Sequence, residues 1–187
     1  LVIAHLMARF AAEAAANPLA TRRQGYSAEQ LVTVDGSNRW IGFPYPKLMN
    51  AHAYIDQSAA VVMTSVATAR SLGIPRDKWV FLHGCADAHD HWYVSERTEL
   101  HASPAIRSAS RQALAMAGKA LADIDVIDLY SCFASAVQIG CEEIGLAEDD
   151  ARGLTITGGL PYFGGPGNNY VTHSIGAMLR RLRARPG

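Results

Sequence analysis

The 187-residue chain lacks an excess of charge of either sign, a cysteine pattern and any long apolar run. Lys plus Arg and Asp plus Glu each number 17, and a net charge of zero argues against a dedicated nucleic-acid surface. Arg180, Arg181, Arg183 and Arg185 near the C-terminus read instead as cations completing a helix dipole. Cys85, Cys132 and Cys141 form neither a disulfide framework nor a CxxC pair, which fits a reducing, cytoplasmic setting. No stretch approaches the roughly 18 apolar residues that a membrane span needs. The opening Leu-Val-Ile-Ala has no basic leader and is soon interrupted by His5, Arg9 and Glu13, so it reads as helix rather than as a signal. GxGxxG, HExxH and GxSxG are all absent. Gly159 and Gly164 have the spacing of a phosphate loop, but Gly165-Pro166 stands where Lys and Ser/Thr belong, which argues against nucleotide hydrolysis. The segment His83 to His91 offers His83, Cys85, Asp87, His89, Asp90 and His91 as metal ligands. Their spacing matches no standard zinc pattern, and the segment reads as a polar loop after a strand, with no metal placed.

What is present is enough apolar residue, 49%, to bury a core, with 18% charged residues. Leu6, Met7, Phe10, Ala11 and Ala14 recur at helical spacing until Asn17-Pro18 stops them. A start at Leu1, without methionine and already inside that pattern, points to sequence upstream. Residues 22–47 are polar and irregular, with at most a short strand at 31–34. Ala59 to Val66, Trp79 to Leu82 and Ile124 to Leu129 read as strands, and a brief helix over 67–72 ends at Gly73. Ser103-Pro104 opens a helix whose stripe is Ile106, Ala109, Ala113, Leu114 and Ala117. Phe133, Val137, Gly140, Cys141 and Ile144 share one face of another helix, ended by Gly145, and a last helix is predicted over 171–182. Alternating strand and helix make the class α/β.

Gly158 to Tyr170 is the most informative stretch, with five glycines and two prolines in thirteen positions. It is a loop with a positional task, partly buried through Leu160, Tyr162 and Phe163, and it leads into a helix. A glycine-rich turn before a helix presents unpaired backbone N–H groups suited to an anion or a developing oxyanion.

Four segments in order resemble the thiolase superfamily. Asn50-Ala-His-Ala-Tyr-Ile-Asp56, followed by Gln57 to Met63, resembles the Asn-Ala-Ser-Gly-Ile-Asn-Asp segment and its small-residue strand. Asp123 to Phe133 resembles the strand-to-helix turn that carries Asn-Glu-Ala-Phe, or His-Asp-Cys-Phe in the sterol-carrier type. Gly158-Gly159 through Gly164-Gly165-Pro166 resembles the Gly-Gly…Gly-His-Pro loop, and the helix ending at Asn17-Pro-Leu-Ala20 resembles the segment before the family's loop region. The resemblance implies a layered α/β fold with mixed five-stranded sheets and helices between and outside. It makes residues 1–20 the end of an N-terminal domain, 21–50 a loop region, and 51–187 a C-terminal domain lacking its last segment. The chain then spans roughly the middle half of a subunit.

The same resemblance implies an acyltransferase of lipid metabolism that forms or cleaves a carbon–carbon bond beside an acyl-CoA thioester. It implies no cofactor beyond the coenzyme A of the substrate, and a possible homodimer. The family's nucleophilic cysteine would lie before Leu1 and its second cysteine after Gly187. Gly165 stands in place of the loop histidine, Tyr130 in place of the motif's Asn or His, and Ser131 in place of its acidic residue. The oxyanion role is then carried by Tyr130, by the Asn168 and Asn169 amides or by loop N–H groups. Cys132 matches the sterol-carrier cysteine and is either a small core residue or a site thiol at a helix start. Asn50, His52, Gly164, Gly165 and Pro166 are the substrate-binding candidates, His52 falling where a serine near coenzyme A would be. The alternative is a thiolase-like protein that binds acyl-CoA or a partner without carbon–carbon chemistry. The expected geometry brings Tyr130, the loop from Gly164 to Asn169 and the turn at Asn50 to His52 to one concave pocket.

Overall fold

A computed structural model describes residues 2–184; Leu1 and residues 185–187, which include Arg185 of the basic cluster, lie outside the described residues. Helix α1 (Val2–Ala16) buries Ala4, Leu6, Met7, Phe10, Ala11 and Ala14 along one face. It packs against α2 (Ala28–Val32), α5 (Ala134–Ile144) and α6 (Gly159–Tyr162), and these elements share one apolar core. Its C-terminal side is tied down by Asn17, whose Oδ1 accepts from Leu19 N at 3.0 Å and whose Nδ2 donates to Thr157 O at 2.9 Å. The residue that stops the helix therefore also anchors the segment leading into the glycine-rich loop.

The 22–47 region is better ordered than its composition suggests. Residues 31–34 do not form a strand: Leu31 lies in α2. Ser27 Oγ accepts from Gln30 N at 3.2 Å while Gln30 Oε1 accepts from Ser27 N at 2.8 Å. This reciprocal cap outweighs the β preference of Val32 and Val34. Buried Asn38 donates to the carbonyls of Leu31 and Thr33 and accepts from Leu48 N at 2.8 Å, joining the end of α2 to the turn that precedes Asn50. Between them run β1 (Trp40–Gly42) and β2 (Tyr45–Pro46), an antiparallel pair with Trp40 opposite Pro46.

Three helices match their sequence signals closely. α3 (Val66–Ser71) starts at the Ser65 cap. α4 (Pro104–Ala117) has Ser103 as N-cap and ends at Gly118 with φ of 62°. α5 ends at Gly145 with φ of 88°, Leu146 N donating back to Cys141 O at 2.8 Å. A left-handed residue after the last turn is cheapest as glycine. The N-terminus of α4 is held by two carboxylates. Asp90 accepts from Ser103 Oγ at 2.5 Å and from Ala105 N at 3.1 Å; Glu143 accepts from Ser103 N at 2.7 Å and pairs with Arg107 at 2.6 Å. Asp90 thus caps a helix, and among the described residues no three His, Cys, Asp or Glu side chains converge to hold a metal. α7 (Tyr170–Ala184) closes the described chain.

The predicted strands are the correction. Residues 59–65, 79–82 and 124–129 form neither helix nor strand, and among the described residues β1–β2 is the one sheet formed. Leu129 N does donate to Leu154 O at 2.9 Å, a single cross-segment bond. Strand preference is realised only against a neighbour that pairs and packs. Without one, Val62 stays 92% and Met63 82% exposed.

Candidate functional site at the glycine-rich loop

The loop is seated on α1 at a distance that only glycine permits. A Cβ on Gly158, whose φ is 105°, would lie 2.6 Å from Ala14 Cα; one on Gly159 would lie 2.6 Å from Phe10 Cδ1 and 2.5 Å from Ser131 Oγ. Three successive N–H groups at this turn are bonded to hydroxyl oxygens: Gly158 N to Thr155 Oγ1 at 3.1 Å, Gly159 N to Thr157 Oγ1 at 3.0 Å and Leu160 N to Ser131 Oγ at 3.1 Å. The expectation that these amides stand open for an oxyanion is corrected: buried donors must be satisfied, and Thr155, Thr157 and Ser131 satisfy them.

Behind the hydroxyls lies Asp128. Its Oδ1 accepts from Thr155 Oγ1 and Ile156 N, both at 2.9 Å, and its Oδ2 accepts from Ser174 Oγ at 2.5 Å and Tyr170 OH at 3.4 Å. Thr157 Oγ1 and Tyr170 OH are 2.7 Å apart. Burial pushes the Asp128 carboxyl above its ordinary value, against the pull of these donors. Burial, followed by the Asp128 charge, also pushes the Tyr170 phenol far up. Sequence reasoning missed this cluster. Its signal was Asp128, the second of two acidic residues inside the apolar run of residues 124–129, and a Thr-x-Thr directly before Gly158.

Backbone bonds bring the predicted pieces together. Ala51 N donates to Cys132 O at 3.2 Å, His52 N to Leu160 O at 3.0 Å, and Gly165 N to His52 O at 2.9 Å. The Asn50–His52 turn, the strand-to-helix turn and the loop therefore meet. Tyr130 borders them: its ring lies edge-on to Tyr170 at 5.7 Å, and Tyr170 in turn packs on Phe163 at 6.3 Å. Tyr130 is 48% exposed, and burial followed by the Cys132 charge raises its pKa, so it is a neutral phenol. The His52 imidazole is half-buried, and its pKa is lowered by that burial and then by the neighbouring charges of Arg22 and Lys47. Arg22 is fixed by a bond from Nη1 to Pro161 O at 3.0 Å.

Other candidates have structural employment. Asn169 spans Ala59 like a peptide group, Oδ1 accepting from Ala59 N at 2.7 Å and Nδ2 donating to Ala59 O at 3.2 Å. Asn50 Nδ2 donates to Pro46 O at 2.8 Å. Asn168 is exposed, and Pro166 is half-buried. Gly164, at φ 139°, faces Gln57, and a Cβ there would lie 2.9 Å from Ile55 Cδ1; at Gly165 it would lie 3.4 Å from His52 O. Burial raises the Cys132 pKa, against the pull of the backbone hydrogen bonds at the helix start. Two cavities, of about 330 and 660 Å³, are lined respectively by residues such as Phe10 and Asp149 and by residues such as His101 and Cys141. Neither of these two is lined by Tyr130, His52 or the 164–169 loop.

The thiolase C-terminal domain-like family model matches residues 86–168, which include the strand-to-helix turn and most of the loop. A monomeric SCP2-thiolase-like protein type 1 from Mycobacterium smegmatis is 45% identical and superimposes with a TM-score of 0.90 over 100% of this chain and 41% of its own. An Ltp2-ChsH2(DUF35) aldolase shares the fold at a TM-score of 0.70 and 20% identity, over 97% of this chain and 49% of its own. A search of curated proteins gave no match. The chain thus spans less than half the length of these solved relatives. Among the described residues no helix is long and apolar enough to cross a membrane. A loop packed on α1, a strand-to-helix turn bonded to the Asn50–His52 turn, and a close structural match together place the chain in the thiolase superfamily, as part of a thiolase-like α/β subunit.

Proposed function

We propose that this chain supplies the acyl-CoA-binding surface of a thiolase-like acyltransferase, one that forms or cleaves a carbon–carbon bond beside a thioester. The observation that supports this is the junction itself: the Asn50–His52 turn, Tyr130–Cys132 and the loop joined by three backbone bonds, with Arg22 and Lys47 beside His52. Coenzyme A carries phosphates, which such cations attract, and a neutral phenol at the rim can donate to a thioester or enolate oxygen. Burial raises the pKa of both Cys132 and Cys141, which disfavours either as the acylated nucleophile. A second reading, binding without carbon–carbon chemistry, is favoured by Gly165 in place of the loop histidine and by the engagement of Asn169 with Ala59.

Calorimetric titration tests both. Acetyl-CoA and free coenzyme A should both bind, Arg22→Ala should weaken both alike, and Tyr130→Phe should weaken acetyl-CoA more. The chain alone should not thiolyse acetoacetyl-CoA, since enzymes whose groups act as a unit lose most of their rate when one is missing. Failure of acetyl-CoA to bind sinks the acyl-CoA reading. Thiolysis at an enzymic rate overturns the assignment of roles.

A further inference from the structure

The Asp128 carboxylate sits at the root of a connected set of side chains that reaches the loop on one side and α7 on the other. Thr155 donates to Asp128 and accepts from Gly158 N, so one hydroxyl joins the carboxylate to the loop. Thr157 accepts from Gly159 N and lies 2.7 Å from Tyr170 OH, which leaves the phenol proton for Asp128 when Thr157 donates. Ser174 brings α7 onto the same carboxylate. The titratable group facing Asp128 is the Tyr170 phenol; its other partners are hydroxyls and the Ile156 amide, and among the described residues no cation pairs with it.

A buried carboxylate without a counter-ion is an expensive way to fill space, because a neutral side chain of the same shape avoids the desolvation cost. What the charged form supplies is direction. A carboxylate is acceptor-only, so Thr155, Tyr170 and Ser174 must point their protons inward; Thr155 is left to accept from Gly158 N, and Thr157, donating to Tyr170, to accept from Gly159 N. We propose that Asp128 is a positioning residue for the candidate site: by orienting Thr155, Thr157 and Tyr170 it fixes the Gly158–Leu160 turn, and with it the placing of His52, whose backbone N–H donates to Leu160 O, beside Tyr130. This rests on the acyl-CoA reading only for the identity of what binds that surface.

The test uses two readouts on the full chain. In Asp128→Asn the side-chain amide becomes a donor, the hydroxyls must turn, and the backbone amide resonances of Gly158 and Gly159 should shift while that of Gly118 stays in place. In the unsubstituted protein the same two resonances should titrate above the ordinary carboxylate range, because burial raises the Asp128 carboxyl. That titration should vanish in Asp128→Asn and persist in Glu143→Gln. Acetyl-CoA affinity should fall on the order of tenfold or more in Asp128→Asn. Ser174→Ala, which removes one donor, should move the same resonances less and serves if Asp128→Asn does not fold. Unmoved Gly158 and Gly159 resonances in both variants overturn the inference, as does unchanged acetyl-CoA affinity. If the unsubstituted chain fails to bind acetyl-CoA while these resonances move and titrate as stated, the acyl-CoA reading falls and the positioning of the loop by Asp128 stands.

Discussion

Gly158→Ala isolates the seating of the loop on α1. The methyl would lie 2.6 Å from Ala14 Cα and 2.7 Å from Ala14 N, whereas carbon atoms rest at roughly 3.5–4.0 Å. The obstacle is helix backbone, which cannot swing aside as a side-chain tip can. The residue also holds φ at 105°, a value alanine adopts only with strain. Strain of about 1–3 kcal/mol and overpacking of about 1–3 kcal/mol add to roughly 2–6 kcal/mol, a large share of a typical domain stability of about 5–15 kcal/mol. At ~2–4 °C per kcal/mol for a chain of this length, the midpoint should fall by roughly 4–24 °C. Gly176→Ala is the matched control: no atom lies within 4 Å of its added Cβ, and it lies within α7. It should stabilise by about 0.5–1 kcal/mol. Thermal and urea unfolding of the three proteins decide the matter. A Gly158→Ala midpoint equal to that of the unsubstituted chain would refute the close packing of loop and helix.

Asn169→Ala removes both bonds to Ala59 and should cost about 1–3 kcal/mol, with amide exchange at Ala59 rising more than exchange within α4. Alkylation should label exposed Cys85 first and half-buried Cys132 more slowly, and Cys141, buried with its pKa raised to about 11, only on unfolding; labelling mapped by mass spectrometry checks the order. Asp150, held at about 2 chiefly by its bond from Arg152, contributes stability above the ordinary carboxylate range, and this is lost as pH falls through that value. Glu143, lowered first by its bond from Ser103 N, behaves with the same sign. Asp128 has the opposite sign, its folded pKa being raised: stability is fullest below the ordinary carboxylate range and declines as pH rises toward the folded value. Asp128→Asn should therefore flatten that decline in a pH series of urea midpoints, while Glu143→Gln should flatten the acid loss.

The helices were legible because their determinants are local. Ser103-Pro104 with Gly118 and the Val137, Gly140, Cys141 face ending at Gly145 each carry start, face and stop within one segment. The 31–34 run has strand composition, but Ser27 and Gln30, four residues and one before Leu31, decide its conformation by capping α2. Residues 59–65 and 79–82 have strand composition, but pairing is a property of two segments, and composition names only one. At the candidate site, the glycine pattern has a packing cause that the sequence alone does not show. Gly158 and Gly159 are needed to meet Ala14 and Phe10 and not to leave amides free, a distinction that depends on what Thr155, Thr157 and Ser131 do from outside the glycine run.

The way the pieces are joined determines which substitutions report on chemistry. Ala51, His52, Cys132, Leu160 and Gly165 meet through backbone N–H and C=O groups, so the junction does not depend on the His52 imidazole or the Cys132 thiol. Backbone bonds persist through side-chain replacement, and a half-exposed side chain such as Tyr130 adds little to the core. Substitutions at His52 and Tyr130 should accordingly leave the unfolding midpoint near that of the parent while altering ligand affinity. Those at Asp128, Gly158 and Gly159 should alter both or stability alone. A Tyr130→Phe variant that lost affinity for acetyl-CoA only in proportion to lost stability would show the phenol to be a packing residue, and would move the weight of the argument to binding without chemistry.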